Sequence, residues 1–114
     1  MSDKDHVLER LFATIESRKG ADPKTSYTAK LLNDGTAAIT AKVSEEAGET
    51  VRAALGEGRD RVVAESADLL YHLLVLWAAE GVAPAEVWAE LAKREGTSGI
   101  AEKASRGTKA KEKD

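Results

Sequence analysis

The sequence predicts an all-α fold, a bundle of about five helices whose four-helix-type core is completed by dimerisation. Three observations predict it. Ala, Leu, Glu, Lys and Arg abound among the 114 residues and only two are Pro, a composition that favours helix over strand. Apolar residues recur at the i, i+3, i+4 spacing of a helix in long segments separated by glycine-containing breaks. One such segment, Leu69 to Ala79, is apolar nearly all round, so in a chain this short a second subunit is expected to cover part of it.

The first helix is expected from about Asp5 to Arg18, capped by Ser2 or Asp3. Val7, Leu8, Leu11, Phe12 and Ile15 form its apolar side and Gly20 stops it. The loop from Gly20 to Thr28 is rich in hydroxyls; Ser26, Tyr27 and Thr28 are its candidates for touching a polar ligand. A short helix then runs to about Leu32 and ends at Asn33-Asp34-Gly35. Thr36 is the expected N-cap of a third helix reaching about Leu55 and closed by Gly56-Glu57-Gly58. Ile39, Val43, Ala47, Val51 and Ala54 make its apolar side; Glu46 falls at the edge of that stripe, Glu49 and Lys42 come next, and Glu45 lies farther round. Gly48 costs about 1 kcal/mol in a helix relative to Ala, which suggests a position where bulk is unwelcome.

The fourth helix is expected from about Arg59 to Glu80. Val62, Leu69, Leu70, Leu73, Leu76 and Trp77 form its stripe, and Arg61, Glu65, Asp68 and His72 flank it. Leu74, Val75 and Ala78 lie on faces assigned to the subunit contact. His72 has no partner histidine and reads as a packing residue rather than a metal ligand. After a turn at Gly81-Val82-Ala83, Pro84 starts a fifth helix to about Arg94 with Val87, Trp88 and Leu91 inward. Trp77 and Trp88 read as core or interface aromatics. Gly96-Thr97-Ser98-Gly99 opens a segment to Arg106 whose small, hydroxyl and cationic residues suit a phosphate. Residues 1–106 are read as one domain and 107–114 as a disordered Lys-rich tail.

Several function classes are disfavoured. No Cys is present, hence no disulfide framework, thiol nucleophile or thiolate metal site. The formal net charge is -3 and Lys and Arg are scattered, which argues against a nucleic-acid surface. The first ten residues are charged, and no apolar run is expected to approach the roughly 18 residues that span a bilayer, so a cytoplasmic protein without a membrane partner is expected.

The chemistry is carried by two acidic clusters. On a helix, residues three apart share a face, so Glu46 projects with Glu49 and Glu65 projects with Asp68. The two helices are joined by a tight glycine-containing turn and therefore pack antiparallel, with both pairs about two turns from that turn. The pairs can face each other. Four converging carboxylates repel, and a hard divalent cation, Mg²⁺ or Mn²⁺, is the partner that oxygen-only ligands suit. Such an ion keeps room for waters and substrate phosphates, which points to phosphate chemistry.

The spacing Glu46-x-x-Glu49, 15 intervening residues, then Glu65-x-x-Asp68 resembles the signature of the all-α nucleoside triphosphate pyrophosphohydrolases, the MazG-like superfamily. Lys42-Val43-Ser44-Glu45-Glu46-Ala47, the run from Glu65 to Leu76, and the ending from Arg94 to Arg106 resemble its phosphoribosyl-ATP pyrophosphatase branch. The likeness covers about residues 5 to 106, and Ser26-Tyr27-Thr28 falls within a segment that is also similar. The resemblance implies Mg²⁺-dependent hydrolysis of 1-(5-phosphoribosyl)-ATP to 1-(5-phosphoribosyl)-AMP and pyrophosphate, the second step of histidine synthesis.

Residues and resemblance together give an expected mechanism. Glu46, Glu49, Glu65 and Asp68 hold the metal, and water attacks between the α and β phosphates. Glu45, Glu46 and Glu49 are the candidate catalytic carboxylates, with Glu45 orienting the water. Lys42, Arg61, Lys103 and Arg106, with Ser26, Tyr27 and Thr28, are the candidates for substrate; Lys42 and Arg61 also have Glu46 and Glu65 at i,i+4 as ordinary partners. Two other functions compete: a housecleaning pyrophosphatase acting on free nucleotides, and a non-catalytic helical dimerisation module.

Overall fold

A computed structural model describes residues 6–96, 99–100, 103–104 and 106, and every regular element among them is helical. Helices α1 (Val7–Ser17), α2 (Tyr27–Asp34) and α3 (Thr36–Arg52) are followed by a π-helical turn, Ala53–Glu57, and by α4 (Arg59–Glu80) and α5 (Pro84–Arg94). The chain divides into two compact units, one ending at Pro84 and the other beginning at Ala85.

Local chemistry sets the boundaries. The expected caps Ser2 and Asp3 lie outside the described residues; His6 caps α1, its Nδ1 accepting from the Leu8 N–H at 3.1 Å. Ser26, in extended backbone, accepts from the Ala29 N–H at 3.1 Å and so starts α2 at Tyr27, making Tyr27 and Thr28 helical residues rather than loop. Gly35, at φ +98°, ends α2 and begins α3 in one residue, a conformation open to glycine. Thr36 is therefore the first residue of α3 and not its cap. Its Oγ1 donates to Glu80 Oε2 at 2.7 Å, tying the start of α3 to the end of α4. At the other end, the Gly58 N–H donates to the Ala53 carbonyl five residues back, and Gly58 at φ +97° turns the chain directly into α4.

In the first unit α4 is central and packs against α1, α2 and, most extensively, α3. The core is Ile15, Leu31, Ile39, Leu74, Val75 and Ala78, with Leu8, Leu11, Phe12, Leu32, Tyr71, Leu76 and Trp77 packed around it. Leu74, Val75 and Ala78, expected at a subunit contact, are thus buried within one chain. The buried face of α4 runs through Glu65, His72, Leu74, Val75 and Ala78, while the expected stripe is half-buried and Leu70 is exposed. That face carries a glutamate and a histidine: both ring nitrogens of His72 find partners within the chain, while Glu65 pairs with Arg61 of its own helix. On α3 the buried line is Ile39, Glu46 and, beyond its end, Ala53; Val51 and Ala54, assigned to the apolar side, are exposed. Those three positions are seven apart, a two-turn repeat that puts Glu46 in the seam itself.

By length and composition α4 is able to cross a bilayer, with mean hydropathy 1.4 over its most apolar window. It is also the central helix of the first unit, with 28% of that window buried within the chain. In the second unit, Val87 and Trp88 of α5 are half-buried, but Leu91, expected inward, is exposed. Gly99, Ile100, Lys103, Ala104 and Arg106 are helical; 107–114, the expected disordered tail, lies outside the described residues.

Candidate active site

The antiparallel pairing of α3 and α4 brings Glu46, Glu49 and Glu65 together, with one carboxylate oxygen of each within 4.8 Å of the others. Glu46 is 7% exposed and Glu65 3% exposed. Each of these two buried residues has one oxygen, Oε1, with no hydrogen-bond partner. Buried carboxylate oxygens are normally satisfied, because leaving an acceptor unpaired away from water is costly. Two orphaned oxygens in one three-carboxylate group therefore call for a positive partner, and an all-oxygen, anionic donor set suits a hard divalent cation. The residues present fit such an ion.

Asp68, expected as the fourth ligand, is exposed and its carboxylate is not part of the 4.8 Å group. It remains close enough to act on Glu65. Burial pushes the Glu65 carboxyl above the ordinary glutamate value, and the charge of Glu49 adds to this; Arg61 opposes it, while Asp68 and Glu46 push further upward.

Each acid of the group has a cation about one turn away on its own helix. Lys42 Nζ lies 3.2 Å from Glu45 Oε1 and 3.7 Å from Glu46 Oε2. Its hydrogen bond to Glu45 holds the Lys42 ammonium above its ordinary value. Arg52 Nη2 is 3.9 Å from Glu49 Oε2. Arg61 pairs with Glu65 and lies 3.9 Å from Glu57. The i,i+4 pairs expected of Lys42 and Arg61 are formed. Arg52 is not among the residues singled out from sequence, although its i,i+3 relation to Glu49 is a visible signal. Gly48 proves roomier than expected: a Cβ there meets only the Arg52 guanidinium, at 3.4 Å. Glu45 itself is exposed beside Lys42.

A second polar group lies alongside. His72, 5% exposed, sits on the buried face of α4; its Nδ1 is 2.8 Å from the Asp68 carbonyl and its Nε2 is 3.0 Å from the Tyr27 hydroxyl. Both ring nitrogens are occupied within the chain, in keeping with the expectation that His72 is not a metal ligand. Thr28 Oγ1 pairs with the Tyr71 hydroxyl. Tyr27 and Tyr71 stack at a 6.3 Å centroid separation, and His72 stands edge-on to both. Tyr27 is near Lys42, Glu46 and Glu45; burial raises its phenol above the usual value against the pull of Lys42, so it stays protonated. Of the loop hydroxyls expected to meet ligand, Ser26 is spent on the helix cap and Tyr27 and Thr28 join this network. Lys103 and Arg106 belong to the second unit, Lys103 exposed and Arg106 half-buried. A cleft of about 480 Å³ lined by Lys19, Ala29, Asn33, Thr36 and Ala79 lies at the far end of α3 and α4 from the turn, away from the carboxylates.

Known proteins match this chain closely. The family model described as phosphoribosyl-ATP pyrophosphohydrolase matches residues 8–95. A phosphoribosyl-ATP pyrophosphatase of Paramagnetospirillum magneticum is 62% identical over 109 residues, 96% of this chain and 100% of the relative. Proteins of the same name from Azospirillum brasilense and Caulobacter vibrioides are 63% and 64% identical over 100 residues, covering 88% of this chain and 90% and 92% of theirs. With α3 and α4 closing three glutamates on one another inside the matched span, the chain belongs to the phosphoribosyl-ATP pyrophosphohydrolase family.

Proposed function

We propose that this chain hydrolyses 1-(5-phosphoribosyl)-ATP to 1-(5-phosphoribosyl)-AMP and pyrophosphate, the second step of histidine biosynthesis, as a cytoplasmic homodimer. The observation that carries the metal-dependent reading is the Glu46, Glu49 and Glu65 group with its two unsatisfied buried oxygens. Family membership and the names of the relatives support the substrate.

Glu46, Glu49 and Glu65 would hold Mg²⁺, with Mn²⁺ as a substitute, and Asp68 stands at the rim of the same group. When bound, the ion neutralises charge that builds on the triphosphate oxygens during in-line displacement. The protein's own groups do the rest. Lys42, Arg52 and Arg61 balance the acids in the free enzyme and are positioned one turn away to receive phosphate oxygens when the acids turn to the cation. Glu45, exposed beside the group, orients the water and takes its proton as the oxygen attacks the α phosphorus and the bond to the β-phosphate oxygen breaks. Lys103 and Arg106 supply cations for the ribose phosphate.

A second copy of the chain is expected over Val51, Leu55 and Val63, large apolar side chains left exposed around the α3 to α4 turn, and over Leu70, exposed farther along α4. This replaces the contact through Leu74, Val75 and Ala78.

Pyrophosphate release from phosphoribosyl-ATP, with Mg²⁺ and with a chelator, tests the assignment. Glu49→Gln and Asp68→Asn should abolish release from a folded protein, while Arg106→Ala should chiefly raise KM. Equal rates on simple deoxynucleoside triphosphates would assign a housecleaning activity instead.

A further inference from the structure

We infer that His72 is a positioning residue that fixes the hydrogen-bond polarity of Tyr27, making the Tyr27 oxygen an acceptor for an N–H or O–H donor on the nucleoside part of the substrate rather than a ligand for phosphate. The inference rests on the substrate proposed above and names a contact within that same site.

The protons can be placed one at a time. A backbone carbonyl only accepts, so the 2.8 Å contact between His72 Nδ1 and the Asp68 carbonyl places a hydrogen on Nδ1. In the neutral ring Nε2 then carries a lone pair, and at 3.0 Å it accepts the one proton of the Tyr27 hydroxyl. The Tyr27 oxygen is left with lone pairs alone. Those are the wrong partners for a phosphate oxygen and the right ones for a hydroxyl or amine. His72 is buried and wedged edge-on between two tyrosines, so its ring is held in this orientation. Tyr27, by contrast, is 51% exposed at the start of α2, the helix that packs against both acid-bearing helices, α3 and α4, so its oxygen and ring are open to a ligand on that side of the bundle.

Steady-state kinetics on phosphoribosyl-ATP test this with variants of the full chain. Tyr27→Phe should raise KM roughly three- to tenfold, the worth of one neutral hydrogen bond, with kcat within about twofold. His72→Asn keeps a donor near the Nδ1 position and removes Nε2; it should match Tyr27→Phe and add nothing further in the Tyr27→Phe background. His72→Gln, with an amide oxygen near the Nε2 position, should recover part of the loss. Substrates lacking the 2′- or 3′-hydroxyl of the adenosine ribose locate the donor: an effect of Tyr27→Phe that vanishes on one of them identifies that hydroxyl, and one that persists on both leaves the base amine or a hydroxyl of the phosphoribosyl group. A Tyr27→Phe enzyme with unchanged KM overturns the inference, as does a His72→Asn loss of equal size in both backgrounds, since a purely structural histidine gives that result. Kd values for 1-(5-phosphoribosyl)-AMP, measured by calorimetry without turnover, separate the two claims. Turnover that ignores Tyr27 overturns this inference alone, and Tyr27-dependent binding without turnover overturns the proposed reaction alone.

Discussion

Glu65 gives the site an opposite response to pH with and without a divalent cation. Its carboxyl is pushed above the ordinary 4.5 by burial and by the charge of Glu49, so the folded state favours the protonated form. For a group raised in this way, the contribution to stability is fully present below the ordinary value and is lost as pH rises through the raised one. In chelator, the thermal midpoint of the wild type should therefore fall relative to that of Glu65→Gln as pH rises through and above the usual carboxylate range. Divalent cation binds the ionised acids, so the sign reverses when it is added. At a free concentration of about 100 times Kd, binding to the folded state adds about 2.7 kcal/mol, and for a chain of 114 residues each kcal/mol moves the midpoint by about 4 °C. A gain of about 10 °C from Mg²⁺ near neutral pH, shrinking toward acid, is the expected result. Differential scanning fluorimetry in chelator and in Mg²⁺ across a pH series reads it directly. Glu65→Gln and Glu46→Gln should be at least as stable as wild type without metal, because each removes one of the mutually repelling charges, and should gain little from Mg²⁺. Wild type and Glu65→Gln shifting equally in Mg²⁺ would refute the reasoning, because the ion would then be acting elsewhere.

Three further substitutions probe particular positions. Gly48→Ala should stabilise the protein by about 1 kcal/mol in urea denaturation, since the added methyl meets only a flexible guanidinium at 3.4 Å and the helix gains propensity; a loss would show that the backbone there is constrained. Ile39→Ala removes a side chain with no exposed surface and should cost about 2–5 kcal/mol, measured the same way; a loss under about 1 kcal/mol would mean that the core repacks around it. Leu55→Glu places a charge on the most exposed apolar side chain near the α3 to α4 turn and should yield a folded monomer in sedimentation velocity, whereas an unchanged dimer would put the interface elsewhere.

The order and approximate extent of the helices were legible because apolar periodicity and glycine stops act locally, as at Gly81 after Glu80 and Pro84 at the head of α5. Pairing of the acids was legible too, since antiparallel packing results from a short connection. Less legible was the face that packs inward. The side of α4 richest in leucine is half-buried, and the side with Glu65 and His72 is buried, where Tyr27 and the Asp68 carbonyl meet the histidine and Arg61 of the same helix pairs with the glutamate. Composition alone does not place His72 inward; its partner Tyr27 is 45 residues away. Thr36 shows the same limit: its hydroxyl suits an N-cap, but its acceptor is Glu80 on another helix.

The wide turn from Ala53 to Glu57 sets the phase between the two acid-bearing helices. Each residue added to or removed from a helical connection swings the next helix by about 100°. A chain one residue shorter here would aim Glu65 away from Glu46 while keeping every carboxylate in its sequence. The 15 residues between Glu49 and Glu65 thus act as a mechanical gauge. Relatives that alter that gap without a compensating change in winding would retain the acids in name and lose the capacity to close them round one ion.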